Sequence, residues 1–377
     1  MPDKYSFKIS QVSGNARRGV VSTSNGEFET PAFMPVGTSG AVKALTCEDL
    51  ESCGAQIILG NTYHLYLRPG QELIKNLGGL GKFNGWNKPT LTDSGGFQAM
   101  SLSDKAKFHD DGITFASIHD GSSHKFTPEN VIEIQRALGA DIIMSFDHCP
   151  PAECDREFAV EATKRTSVWA KRGKNHFDNL EDKAPTNQTL FGIVQGWLEK
   201  EMRKQSAEEI TSLDFEGYAL GGLAVGESKE QMEEMVSFST PLLPADKPRY
   251  LMGVGYPEDI LMAVSYGIDM FDCVLPTRNA RTGQVFTSSG PLVFRNASYA
   301  NDERPLDSNC ACRVCQRYSR AYLRHLYNQS EITAMVLATY HSTWFYQELM
   351  RNIREAISAD SFEKFRSEFL SGYQSRS

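Results

Sequence analysis

Asp272 ends an apolar run, Ile268 to Phe271, and Pro276, Arg278 and Arg281 follow within nine residues. This sets one carboxylate at a predicted strand end beside two guanidinium groups. Pro276 is expected to break the run into a loop that carries both arginines. The plainer alternative is an aspartate that caps the next turn with arginine partners. That alternative weakens because Asn61, Asp93, Asp147, Gln195 and Gly222 also close predicted strands, and packing requires none of them there. A second cluster stands apart. Cys310-x-Cys312-x₂-Cys315 with His341 offers three thiolates and one imidazole, enough to close a tetrahedral structural Zn²⁺ site with no open position for catalysis.

The elements that must position these residues alternate along the chain. A β-hairpin is predicted over Phe7–Val12 and Gly19–Ser24, before the first core strand, Ala32–Val36. Strands follow at Gln56–Gly60, Thr90–Asp93, Asp141–Phe146, Leu190–Val194, Tyr218–Gly222, Arg249–Gly255 and Ile268–Phe271. Helices are predicted between them: after Thr46, over Pro69–Leu77, from Thr127-Pro128 to Leu138, over Asp155–Phe177 and Glu199–Leu213, from the capping box Ser228-x-x-Gln231 to Phe238, and after Pro257. Gly112–Ile118 reads as an inserted hairpin, and helices dominate after Arg317. Eight strands alternating with helices are the pattern of an α/β (β/α)₈ barrel, whose active sites lie at the carboxyl ends of the strands. The six polar residues should therefore converge.

Composition narrows the class. At 377 residues and 40% hydrophobic content the chain suits one large unit. It has no run of about 18 apolar residues and no apolar segment after its first charges, so a cytoplasmic protein that does not enter membranes is expected. Eight cysteines without a secretion signal argue for thiols or metal ligands; Cys47, Cys53, Cys154 and Cys273 read as packing residues. The net charge is −8, yet residues 277–324 hold eight arginines against Asp302, Glu303 and Asp307, a local excess of five positive charges on a remainder of −13. A basic segment on an acidic body suits a polyanion that docks in one place. A solvated face held by internal salt bridges is the alternative.

With Asn61-Thr-Tyr-His-Leu65, Leu91-Thr-Asp-Ser-Gly-Gly-Phe-Gln98, Gly192-Ile-Val-Gln-Gly196, Gly221-Gly-Leu-Ala-Val-Gly-Glu227, Phe271-Asp-Cys-Val-Leu-Pro-Thr-Arg278 and the Cys/His set, the chain resembles the bacterial tRNA-guanine transglycosylases over essentially its whole length. The resemblance implies an irregular TIM barrel with a zinc subdomain and C-terminal helices, usually a homodimer. It also implies exchange of the wobble guanine of G-U-N anticodon tRNAs (Asp, Asn, His, Tyr) for a 7-deazaguanine base, in bacteria 7-aminomethyl-7-deazaguanine (preQ1). Carried over by motif, Asp272 would be the nucleophile of a covalent ribosyl-enzyme and Asp93 the general acid/base. Asp147, Gln195 and Gly222 would read the base edge, and Asn61 belongs to the same rim. The Leu223 carbonyl would read the 7-substituent with Glu227 steadying its peptide. Phe97 and Met252 would sandwich the ring, and Arg278 and Arg281 would hold flanking nucleotides of the tRNA anticodon arm. Burial is expected to raise the pKa of Asp93, while nearby donors keep Asp272 ionised.

One departure touches specificity. Bacterial members usually carry Glu-Cys after the recognition aspartate, whereas this chain has His148-Cys149. An imidazole there removes a fixed negative charge where a cationic amine would be read, which keeps queuine open as the incoming base; Val225 favours the preQ1-type pocket. Two other classes are a small-sugar glycosidase of the same fold, which needs no arginine-rich zinc segment, and a non-catalytic tRNA-binding subunit, which would have lost the nucleophile. The expected division is barrel with N-terminal hairpin at 1–300, zinc-binding subdomain at 301–350 and a C-terminal helix packing on the barrel at 351–377.

Overall fold

The computed structural model describes residues 5–103, 106–180 and 187–373. Eight parallel strands close into a barrel: β1 Ala32–Gly37, β2 Ile58–Gly60, β3 Thr90–Thr92, β4 Ile142–Met144, β5 Thr189–Val194, β6 Gly217–Leu220, β7 Arg249–Leu251 and β8 Met270–Cys273. Each pairs with the next, and β8 returns to β1 with Met270 opposite Ala32 and Asp272 opposite Met34. All eight overlap the runs predicted from sequence, and Asp272 falls inside the last strand, not after it. Parallel strands covered on both faces read as continuous apolar stretches, which is why they were visible. Alternate residues split between two cores. Met34, Leu59, Met144, Phe191, Ile193 and Tyr250 fill the barrel interior, whereas Phe33, Ile143, Leu190, Leu251 and Phe271 face the helices outside.

The helices begin where local chemistry dictates. Thr46, Thr127 and Ser228 each close a capping box with the residue three positions on, and Pro128 sits in the first turn where its missing N–H costs nothing. The expected breaker Pro276 behaves the same way, and this corrects the sequence reading. It lies in the first turn of a helix, Leu275–Arg281, so Arg278 and Arg281 stand on one helix and not in a loop.

Both predicted hairpins are larger than expected. The N-terminal one is a three-stranded antiparallel sheet, Ser6–Ser13, Ala16–Thr23 and Gly26–Thr30, whose Val21 and Phe28 join the interior core. The insertion between β3 and β4 is a second three-stranded sheet, Lys107–His109, Gly112–Ala116 and Ser123–Phe126. After β8 come a short hairpin, Val285–Thr287 with Gly290–Leu292, and helices Arg320–Asn328, Ile332–Ser358 and Phe362–Gly372. The 27-residue helix serves two cores. Ala334, Leu337 and Tyr340 pack with Val285, Leu292, Cys312 and Cys315; further on, Phe345, Tyr346, Leu349 and Ile353 pack on the barrel. Residue 350 lies inside this helix. No helix among the described residues is long and apolar enough to cross a membrane.

Candidate active site

A cleft with about 670 Å³ of empty space opens at the carboxyl ends of the strands and is walled by Asp93, Asp147, Gly222, Leu223, Met252 and Asp272, with Phe97 and Val225 at its edge. Asp93 follows β3, Asp147 lies beyond β4, Gly222 beyond β6, and Asp272 is the third residue of β8. Two aspartates 179 positions apart in the sequence thus face one cavity.

Each carboxylate has its own donors. Asp93 accepts from the Thr62 amide at 2.8 Å and from the Asn61 side chain. Among the described residues the buried Asn61 Oδ1 has no partner. An amide flip would let it accept from a protonated Asp93, so the pair can serve either protonation state. Burial pushes the Asp93 carboxyl up to about 7, against the Thr62 amide that holds it down and with help from the charges of Asp272 and Asp147. Asp272 Oδ1 accepts from the Tyr250 hydroxyl at 2.6 Å and the Gly253 amide at 2.8 Å. Burial nevertheless leaves the Asp272 carboxyl above the ordinary range, since these two donors oppose the desolvation without cancelling it. The donors expected around Asp272 are thus present, and burial works against them.

Asp147 lines the same cleft. Ser94 donates to it at 3.1 Å and Gln195 Nε2 at 2.8 Å, and burial raises this carboxyl too. Gln195 is fully buried behind Asp147, its Oε1 without a partner among the described residues, and its amide does not reach the cavity in this arrangement. Gly222 has φ +67, and a Cβ there would come within 2.4 Å of Gln195 Oε1, so only glycine fits. Glu227 accepts from the amides of Ala224 and Val225, the first of which shares a peptide with the Leu223 carbonyl. Phe97 is 44% exposed, and both it and Met252 line the cleft.

His148 does not line the cleft, which corrects the sequence-based concern about base choice. Its ring is buried on the outer side, stacked on Phe108 at 3.6 Å between centroids and packed near Phe158 and Trp169. Burial pushes its pKa down to about 3 and Arg165 adds to that, so it is neutral. Tyr250, Gly253, Ser94 and Thr62 were not singled out from the sequence. Tyr250 carried the one available signal, a polar-tipped aromatic one position before a strand end and facing the barrel interior.

Arg278 is exposed and Arg281 half-buried on the helix after β8; Arg281 donates to the Thr277 carbonyl at 2.9 Å, and burial with the neighbouring Arg278 charge lowers its pKa. Among the described residues neither has a carboxylate partner, an arrangement open to an anion. Elsewhere in the basic segment the salt-bridge alternative accounts for three of the six other arginines. Arg304 and Arg320 pair with Asp302, and Arg313 with Asp49.

The sulfur atoms of Cys310, Cys312 and Cys315 lie 3.7, 3.5 and 3.3 Å from His341 Nδ1, and all four ligand atoms fall within 4.8 Å of one another. A tetrahedral ion with ordinary zinc–sulfur and zinc–nitrogen bonds would set sulfur and nitrogen about 3.6 Å apart. His341 Nε2 donates to the Phe286 carbonyl at 2.9 Å, which leaves Nδ1 free to ligate. The set fits one metal ion, closed to substrate.

Residues 11–375 match the family model for queuine tRNA-ribosyltransferase. The chain is 54% identical to the queuine tRNA-ribosyltransferase of Caldanaerobacter subterraneus subsp. tengcongensis, covering 98% of this chain and 97% of the relative. It is 52% identical to that of Novosphingobium aromaticivorans (99% and 100% covered) and 51% identical to that of Zymomonas mobilis (99% and 96%).

Proposed function

The chain belongs to the queuine tRNA-ribosyltransferase family of tRNA-modifying transferases, and from that premise we propose that it exchanges the wobble guanine of G-U-N anticodon tRNAs for preQ1. The observation that carries this reading is the convergence of Asp93 and Asp272 on one cleft beside Asp147. Replacing a base with retention at the anomeric carbon takes two inversions. In the first, the Asp272 carboxylate attacks C1′, the bond to guanine breaks, and Asp93 donates its proton to the departing base. In the second, Asp93 takes a proton from the incoming base, which attacks C1′ and releases Asp272. An Asp93 carboxyl near 7 suits both duties at neutral pH.

Asp147 would accept from the guanine-like N1–H and 2-amino group, and Gly222 would donate to the 6-oxo oxygen. Gln195 would act by holding Asp147. The Leu223 carbonyl, fixed through Glu227, would meet the aminomethyl group, with the ring between Phe97 and Met252 and Asn61 serving Asp93. Arg278 and Arg281 would grip phosphates of the anticodon arm. Zinc in the Cys310/Cys312/Cys315/His341 set would hold the 301–350 segment against the barrel. In the same reading the working form is a cytoplasmic homodimer.

Mixing the protein with anticodon stem-loop RNA and free base, then running a denaturing gel, tests the chemistry. The wild type should give a shifted covalent band that Asp272→Asn lacks; no band from either would sink the proposal, leaving a binding subunit. A competition among guanine, preQ1 and queuine decides the base. Preference for preQ1 is expected; the name carried by the relatives puts queuine in that place, and a queuine preference would overturn this part.

A further inference from the structure

Behind Gly222 and Leu223 lies a charged side chain that base exchange, as described, leaves without a role. Arg203, on the helix Lys200–Thr211, is completely buried. Its Nε donates to the Trp197 carbonyl at 2.8 Å, one terminal nitrogen to the Gly221 carbonyl at 2.8 Å and the other to the Gly222 carbonyl at 3.3 Å. Among the described residues it forms no ion pair; Glu227 is the carboxylate that acts on it through space. A guanidinium buried without a counter-ion is costly, and one that spends its fork on three backbone carbonyls is fixing backbone.

The direction of that fixing matters. In a trans peptide the N–H points opposite the C=O. With the Gly221 and Gly222 carbonyls drawn down to Arg203, the amides of Gly222 and Leu223 point away from it. The Gly222 amide meets the Cys149 thiol, a weak acceptor on the cleft wall. The packing leaves little slack, since a Cβ on Gly222 would meet both Gln195 and Arg203.

We propose that Arg203 is a positioning residue for base exchange: its fork turns the Gly222 amide toward the cleft, and its charge strengthens that amide as a donor to the purine carbonyl. This rests on the base-exchange reading above. When the bond between C1′ and guanine breaks, its electron pair passes to the purine and is shared with the carbonyl oxygen until the Asp93 proton arrives. A donor backed by a fixed cation stabilises that electron-rich base more than the neutral one.

Steady-state incorporation of labelled guanine into tRNA by the zinc-loaded full chain tests this, comparing wild type with Arg203→Lys and Arg203→Gln. Lysine keeps the charge without the fork. The expected result is a base KM raised about tenfold or more in both variants, with the RNA KM within twofold of wild type and kcat lowest for glutamine. A merely structural role would reduce the folded fraction and leave the base KM of the survivors unchanged. An Arg203→Lys enzyme with base KM and kcat within twofold of wild type overturns the proposal, as does an equal rise in RNA KM. Should neither variant fold, arginine-selective ¹⁵N labelling of the wild type reads the same point. The Arg203 Nε–H resonance should move when guanine is added without RNA, and an unmoved resonance overturns the assignment. Failure of the wild type to exchange guanine at all would instead remove the base-exchange reading and this inference with it.

Discussion

The strand-end cleft and the Cys₃His cluster are both buried, yet they treat polar atoms in opposite ways. The cleft leaves Asn61 Oδ1 and Gln195 Oε1 without partners and crowds three carboxyls that burial pushes upward. The cluster aims four ligand atoms at one point and engages the remaining imidazole nitrogen. The difference separates two uses of buried polarity. Groups that must change partners or protons keep unspent hydrogen-bonding capacity, whereas groups that hold a shape have none to spare.

The sharpest way to break this comparison is at the nucleophile. Asp272→Asn should keep the fold, because Tyr250 and Gly253 can still donate to the remaining oxygen, and should cost roughly four orders of magnitude or more in turnover, measured by base incorporation. Residual exchange within tenfold of wild type would show that the cleft does not work through Asp272. At the other region, Cys312→Ser should cost about 4 kcal/mol or more of stability, seen in thermal melts and metal content, because a closed site tolerates no missing ligand. A variant that melts with the wild type would mean the cluster carries little of the fold.

His148→Glu sharpens where the cleft ends. The new carboxylate would sit among Phe108, Phe158 and Trp169 with the Arg165 guanidinium offsetting part of its burial cost, so the melting midpoint should fall by a few degrees, on the order of 1 kcal/mol. The preference among competing bases should stay within twofold; a shift toward preQ1 would return this position to the pocket.

Asp93→Asn tests the stored electrostatic cost. An unfolded Asp93 loses its proton near 3.8 and the folded one near 7, so the folded form loses stability as pH rises through that window. The asparagine variant escapes this. It should melt with the wild type near pH 4 and above it at pH 8, by about 2 kcal/mol, while losing about 10²–10⁴-fold in rate. The smallest effect is expected away from both regions. Ser228→Ala removes a helix cap and should cost about 1 kcal/mol with exchange unaffected.

Much of this was legible in the chain itself, for local reasons. Barrel strands covered on both faces announce themselves as apolar runs, caps lie within three residues of what they cap, and three of the four metal ligands fall within six residues. What escaped was non-local or ambiguous in parity. Gly26–Thr30 and Ser123–Phe126 alternate polar residues with few apolar ones and become strands only because neighbours pair with them. Pro276 reads equally as a breaker or a first-turn residue, and the packing of the helix that follows decides.

The amino-acid sequence by itself determined the eight-strand alternation, the carboxylates at its ends and the metal-ligand set, because periodicity, capping and ligand spacing act over a few residues. Only the tertiary structure decided that Asp147 faces the cleft while its neighbour His148 faces away, that Tyr250 reaches Asp272, and that burial outweighs the donors around both catalytic candidates. The direction of a side chain just past a strand end depends on how that segment packs, and desolvation depends on everything packed around a group, so neither can be read until the barrel has closed.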